Sequence, residues 1–371
     1  MQSPKSFSQL IPLHPSNSPV PLPTPPGPYK VGTLSLEATD AGRLDPYAPT
    51  SQHRRLMLSF FYPTSDDDHP FAAYLSSAKM AAYSDESGHL PYGTTARYQP
   101  QAYDHAQVEA GPWPVILFSP GLGVCRESYT IALENRASEG YFCVSIGHTY
   151  DTMLDFPDGE IVFQIGWAFT DIDLVTRMRA QDAVFALEQL ANGAFVGRIP
   201  GLEQGTLNFA RVGMFGHSIG GAAALEAMEL DARIAGGVDL DGAFHGNQMT
   251  IGTDRPFLIF NLSDEEDTDR PPSFAKIWPH LTGWKAELKI DGAVHMSFLD
   301  DATSYKLLGV LDAIDPNKKM LGTIDPLRMM VVQSTYLKAF FDFVLREGSD
   351  HIFRCSDPAF PEISIVRGME G

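Results

Sequence analysis

RVGMFGHSIGGAAALEAMEL, residues 211–230, is the stretch on which the reading of the whole chain turns. Its first five residues are mostly apolar, as a buried strand requires, and Ala222 to Leu230 is packed with the strongest helix formers. Between them stands GHSIG, a G-x-S-x-G string centred on Ser218. By composition alone such a string turns up in roughly one chain in five of this length and glycine content, so by itself it decides little. The strand before it and the helix after it make it a nucleophile elbow. In such a turn the serine takes a strained backbone conformation, and Gly216 and Gly220 remove the Cβ atoms that would otherwise collide. The Ser218 hydroxyl is then presented at the edge of a sheet.

Outward from the elbow, apolar or alternating runs recur: VGTLSLEA (31–38), RLMLSFFYP (55–63), WPVILFSPG (113–121), YFCVSIGH (141–148), IAGGVDLDG (234–242), RPFLIFNLSD (255–264) and KAELKIDGAVH (285–295). Helical patterns fall between several of them, at 128–138, 171–190 and 219–230, and another closes the series at 329–346. Strands alternating with helices predict an α/β fold, a mostly parallel central sheet of about eight strands with helices on both faces and an antiparallel hairpin at its start. Nine prolines in residues 1–28 predict an extended arm on the surface. The remainder, 29–371, reads as one domain with insertions at about 64–111 and 159–176. Both insertions are candidates to line or cover a site, and in the second the aromatic residues Phe163 and Trp167 are candidate substrate contacts. No more than a short connection separates Asp241 from the next strand, which leaves no room there for a large cap domain.

With 371 residues, 44% of them hydrophobic, the chain is long enough to bury a large core. A formal charge of −19 argues against nucleic acid and anionic membrane surfaces as partners. Cys125, Cys143 and Cys355 are too few and too scattered for a disulfide framework or a metal site, and read as buried free thiols. The run DEEDTD (264–269) lacks the spacing of a calcium loop. No metal or cofactor is expected, and neither an export signal nor an 18-residue apolar span is visible. The expectation is a cytoplasmic protein acting on a small molecule.

A serine attacks a carbonyl at neutral pH only when a base takes its proton and a carboxylate steadies that base. Behind an elbow the chain order is nucleophile, acid, base, so both partners lie beyond Ser218. Of His245, His280, His295 and His351, only His295 ends a strand-like run in a loop of small residues, where side chains reach the carboxyl edge of a sheet. For the acid, Asp241 and Asp264 both follow strands, and order alone leaves the two open. Asp239 alternates with Asp241 and is placed behind it. The oxyanion needs two backbone N–H donors: Ile219, at the start of the helix, and Leu122, in the loop SPGLGV after the strand VILF. His148 and Phe244 are further candidates for contact with a substrate.

PVILFSPGLG, HTYD with DFPDG, the elbow segment, GGVDLDGAF, DGAVHMSF and GTIDPLRMMVVQSTYLKAFFDFVL together resemble the platelet-activating-factor acetylhydrolase family of α/β-hydrolases, especially its microbial members. The resemblance runs from about residue 55 to 346, and departs from the family at Pro120 and Ala243. It implies an α/β-hydrolase fold and Asp241, 23 residues beyond Ser218, as the acid. It also implies His295 as the base, with Leu122 and Ile219 forming the oxyanion hole. The activity implied is that of a serine esterase for short-chain acyl esters, of the kind that degrades lipids. An acyltransferase or thioesterase would use the same machinery, and a non-catalytic binding protein of this fold is the remaining alternative.

Overall fold

The computed structural model describes residues 18–165, 171–246, 248–262 and 270–368. Its ten-stranded sheet is formed by β1 (Lys30–Leu44), β2 (His53–Thr64), β3 (Ala102–Asp104), β4 (Trp113–Ser119), β5 (Phe142–His148), β6 (Leu207–His217), β7 (Ile234–Leu240), β8 (Phe257–Phe260), β9 (Lys285–Ile290) and β10 (Ile363–Gly368). The order across the sheet is β10-β9-β8-β7-β6-β4-β5-β2-β1-β3. From β5 to β9 all neighbours are parallel. The opening strands β1 and β2 form the expected antiparallel hairpin, and β10 closes the far edge antiparallel to β9.

All eight strands read from the sequence are present. The expected number is nevertheless corrected to ten, because β3 and β10 add one strand at each edge. Both depend on a neighbour already in place: β3 is three residues long, and β10 lies beyond the last helix.

Side chains alternate across the sheet with period two. Val115 and Leu117 of β4 face one core, while Ile116 and Phe118 face the other. The first core is closed by α3 (Ile172–Leu190) and α4 (Ile219–Leu230), which follow α1 (Ala78–Ser87) and α2 (Thr130–Ser138) in the chain. The second is closed by α2 and, beyond α5 (Arg270–Ile277) and α6 (Asp300–Leu308), by the long α7 (Pro326–Arg346). Helix α7 starts three residues earlier than its apolar pattern suggests. Asp325 caps it by accepting the Leu327 and Arg328 N–H groups, and Pro326 at the first position gives up an N–H that would have no partner there.

Insertion 64–111 carries α1 and leans on α6, where Tyr74 donates to Asp300 at 3.2 Å. Residues 18–28 run along the surface and are tied to the domain. Val20–Pro21 pairs with Tyr98–Gln99, Leu22 is buried, and the Gly27 N–H reaches Ser138 Oγ at 3.0 Å. The three cysteines are free, but only Cys143 is fully buried, and Cys355 is exposed. Among the described residues no helix is long and apolar enough to cross a membrane.

Because β4 is flanked by β5 and β6, the chain leaves this point in both directions across the sheet. In open α/β sheets such a point, at the carboxyl ends of the strands, is where ligands bind. The loops after β4, β6, β7 and β9 emerge at that edge.

Candidate active site

Ser218 follows the last residue of β6 with φ 57° and ψ −129°, the strained corner its sequence context predicts. The glycines on either side are sterically required. A Cβ on Gly216 would lie 2.1 Å from the Gly220 backbone, and one on Gly220 would lie 2.0 Å from the Ser119 carbonyl oxygen. The corner is tied to β7 through the Ser218 N–H, which donates to Leu240 O at 2.9 Å.

Asp241 leaves the end of β7 with φ 60° and is completely buried. Its N–H is held by Phe260 O, and its Oδ1 accepts the Leu262 N–H at 2.7 Å. That leaves Oδ2 directed at His295, whose Nδ1 is 2.7 Å away. With Nδ1–H donated to a carboxylate, the Nε2 of His295 carries a lone pair and can accept a proton. His295 opens a short helical turn, its loop fixed by Thr323 and Ile324 N–H groups on Gly292 O. Asp239, one side-chain step back along β7, is also buried. Burial lifts its carboxyl well above the usual range, and its Oδ1 holds the loop by accepting the Gly242 N–H. Asp264 lies outside the described residues.

Leu122 stands in the loop after β4, half-buried and packed in one cluster with Ile219. Among the described residues, neither the Leu122 nor the Ile219 N–H meets a backbone acceptor. The loop beneath them is held firmly. The Gly121 N–H donates to Tyr129 Oη at 3.1 Å, and Gly123 N–H to Asp151 O at 3.1 Å.

Two of the expected substrate contacts are corrected. His148 is 1% exposed and locked between Asp182 and Ser119, at 2.9 Å from each. Burial and the nearby Arg179 charge push it down to about 4, so it is neutral at pH 7 and serves the interior. Phe244 is likewise buried, against Phe257 and Phe274. Phe163 is exposed, and Trp167 lies outside the described residues.

Two arginines escaped the sequence reading. Arg270, at the start of α5, contacts Asp241 Oδ2 and stands 2.9 Å from His295 Nδ1. It follows the acidic run 264–269, and no local pattern announces that it turns back to the site. Arg179 is buried beneath the Leu122 loop. It sits four residues after Val175 and four before Ala183, both buried, so a charge on the apolar face of α3 was the available signal.

An elbow at the carboxyl edge of a mostly parallel sheet, with helices on both faces, places the chain among the α/β-hydrolases. The family model for platelet-activating factor acetylhydrolase, isoform II, matches residues 199–345. A probable 1-alkyl-2-acetylglycerophosphocholine esterase of Arthroderma benhamiae is 28% identical, over 92% of each chain. Platelet-activating factor acetylhydrolase of Cavia porcellus is 23% identical, over 74% of this chain and 67% of its own. Among solved structures, a ferulic acid esterase from Streptomyces cinnamoneus superposes with a TM-score of 0.83 at 29% identity, covering 94% of this chain and 99% of that one. These likenesses make the chain a carboxylic ester hydrolase that is similar to the platelet-activating-factor acetylhydrolase family.

Proposed function

We propose that the protein is a serine esterase that cleaves short-chain acyl esters through an acyl-enzyme, with Ser218, His295 and Asp241 as its catalytic residues. The observation that carries this reading is the 2.7 Å contact between His295 Nδ1 and a buried Asp241 carboxylate, at the sheet edge where Ser218 emerges. His295 Nε2 takes the Ser218 proton as Oγ bonds to the ester carbonyl carbon. The negative charge on the carbonyl oxygen is received by the Leu122 and Ile219 N–H groups, and Asp241 balances the imidazolium. Collapse breaks the bond to the leaving oxygen, which takes the proton from Nε2 and departs as the alcohol. Water then repeats the sequence on the acyl-enzyme, releasing the carboxylic acid and restoring the serine.

Short acyl groups are favoured because the Arthroderma relative is named for an acetyl ester. The test is turnover of nitrophenyl esters of graded chain length by wild type and Ser218→Ala. Acetyl or butyryl esters are cleaved by wild type, and the variant loses at least about 1000-fold in kcat. Comparable rates in the two proteins would overturn the reading.

A further inference from the structure

Behind the Leu122 loop lies a buried cation that the proposed reaction does not itself use. Arg179, 1% exposed, forms an ion pair through Nε with Asp151 Oδ2 at 2.6 Å. Its two remaining nitrogens face the loop. Nη1 donates to the Pro120 carbonyl and lies 3.2 Å from Ser119 Oγ, and Nη2 donates to Gly121 O at 3.4 Å. One guanidinium therefore holds successive carbonyls of the segment that delivers the Leu122 N–H.

The peptide group explains why this matters. Gly121 C=O and Leu122 N–H belong to one planar unit in which oxygen and hydrogen point in opposite directions. Fixing the oxygen on Arg179 fixes the direction of the hydrogen. The preceding peptide is held from both sides, its carbonyl by Arg179 and its N–H by Tyr129 Oη at 3.1 Å. The loop cannot rotate about either peptide without losing a charge-assisted bond. A cation on the carbonyl also polarises the peptide, which strengthens its N–H as a donor.

We infer that Arg179 is a positioning residue for the oxyanion hole, orienting and polarising the Leu122 N–H through the Gly121 carbonyl. This rests on the esterase reading above, and its action falls on the oxyanion rather than on the proton transfer. Asp151 completes the device. It neutralises Arg179 in the interior, and its backbone carbonyl takes the Gly123 N–H at 3.1 Å, so the far side of the loop is anchored to the same residue.

The experiment compares wild type, Arg179→Lys, Ser218→Ala and the paired variant Arg179→Gln with Asp151→Asn, which removes both buried charges together and guards against misfolding of the single change. Each is assayed with p-nitrophenyl acetate for kcat and KM, and with an aryl trifluoromethyl ketone, whose adduct with serine carries an oxyanion. Lysine keeps the charge but loses the fork. Both arginine variants are expected to lose about 100-fold in kcat with KM changed less than about threefold, and to bind the ketone more weakly by the same factor as the loss in kcat/KM. The acid limb of the pH profile stays in place, because His295 and Asp241 are untouched. Folded variants that keep ketone affinity within threefold of wild type would overturn the inference, whether or not kcat falls. If Ser218→Ala remained active, the esterase reading itself would fail, a result separate from any outcome at Arg179.

Discussion

The ring of His217 lies 4.5 Å from that of His295, and its Nε2 is 2.9 Å from the His295 carbonyl oxygen. On its other side, Nδ1 is 2.8 Å from Tyr129 Oη, which already accepts the Gly121 N–H. The phenolic hydrogen therefore goes to Nδ1, and Nε2–H goes to His295 O. Burial and the His295 charge hold His217 well below its ordinary range, so it is neutral and this tautomer is fixed. A hydrogen-bonded chain thus runs from the oxyanion loop through the elbow to the backbone of the base.

That chain can be cut at either end. His217→Gln places a donor near the former Nε2 and should hold kcat within about threefold, because the link to His295 O survives. His217→Asn reaches only toward Tyr129 and should lose about tenfold in kcat, the cost of a buried carbonyl left without its donor. Steady-state kinetics on a nitrophenyl ester read the difference, and equal losses in the two variants would contradict it.

Asp239 and Asp241 are separated by one residue but differ in their partners. Burial lifts the Asp239 carboxyl well above its usual range, and its Oδ1 accepts the Gly242 N–H, a role an amide oxygen fills. Asp239→Asn is expected to leave kcat within about threefold. Asp241→Asn removes the carboxylate that orients Nδ1–H and should cost about 10⁴-fold. Parallel kcat measurements test the contrast.

Arg270 shares Asp241 Oδ2 with the imidazole, so its cation competes for the charge that steadies His295 during proton transfer. Removing it should favour the protonated imidazole. In Arg270→Gln the acid limb of the kcat/KM profile is therefore expected to move about one unit toward higher pH, with the alkaline plateau preserved to within a few-fold. A pH series with wild type and variant under identical salt decides it, and a limb that moves to lower pH would reverse the assigned sign.

Those residues also mark what the chain disclosed before folding. Each of the eight inner strands announced itself by alternation or by a short apolar run, because most of its positions must satisfy one core or the other. His295 was legible from a local pattern, a strand-like run ending in a loop. Asp241 was separated from Asp264 only by resemblance. Arg179 and Arg270 were not found, since a guanidinium that crosses from another element to reach a carbonyl or a carboxylate leaves no periodicity behind it. The same holds for β3 and β10, which the sheet recruits at its edges.

Asp300 links the His295 segment to the helix beyond the oxyanion loop, and its titration should be visible in stability. Both its oxygens lie 3.3 Å from the Ile131 N–H, at the start of α2, and Tyr74 donates to Oδ2. Burial outweighs these bonds and lifts the carboxyl to about 8, with Asp301 alongside contributing in the same direction. In the unfolded chain an aspartic acid loses its proton near pH 4. Between about pH 4 and 8 the native state therefore holds a proton that the unfolded state has released, and this group lowers stability as pH rises, by about 1 kcal/mol per unit. Asp300→Asn removes the titration while retaining an acceptor for the Ile131 N–H. Urea unfolding of both proteins at pH 5, 6, 7 and 8 should show the variant gaining on wild type at each step. A constant difference across the series would mean that Asp300 is ionised in the fold.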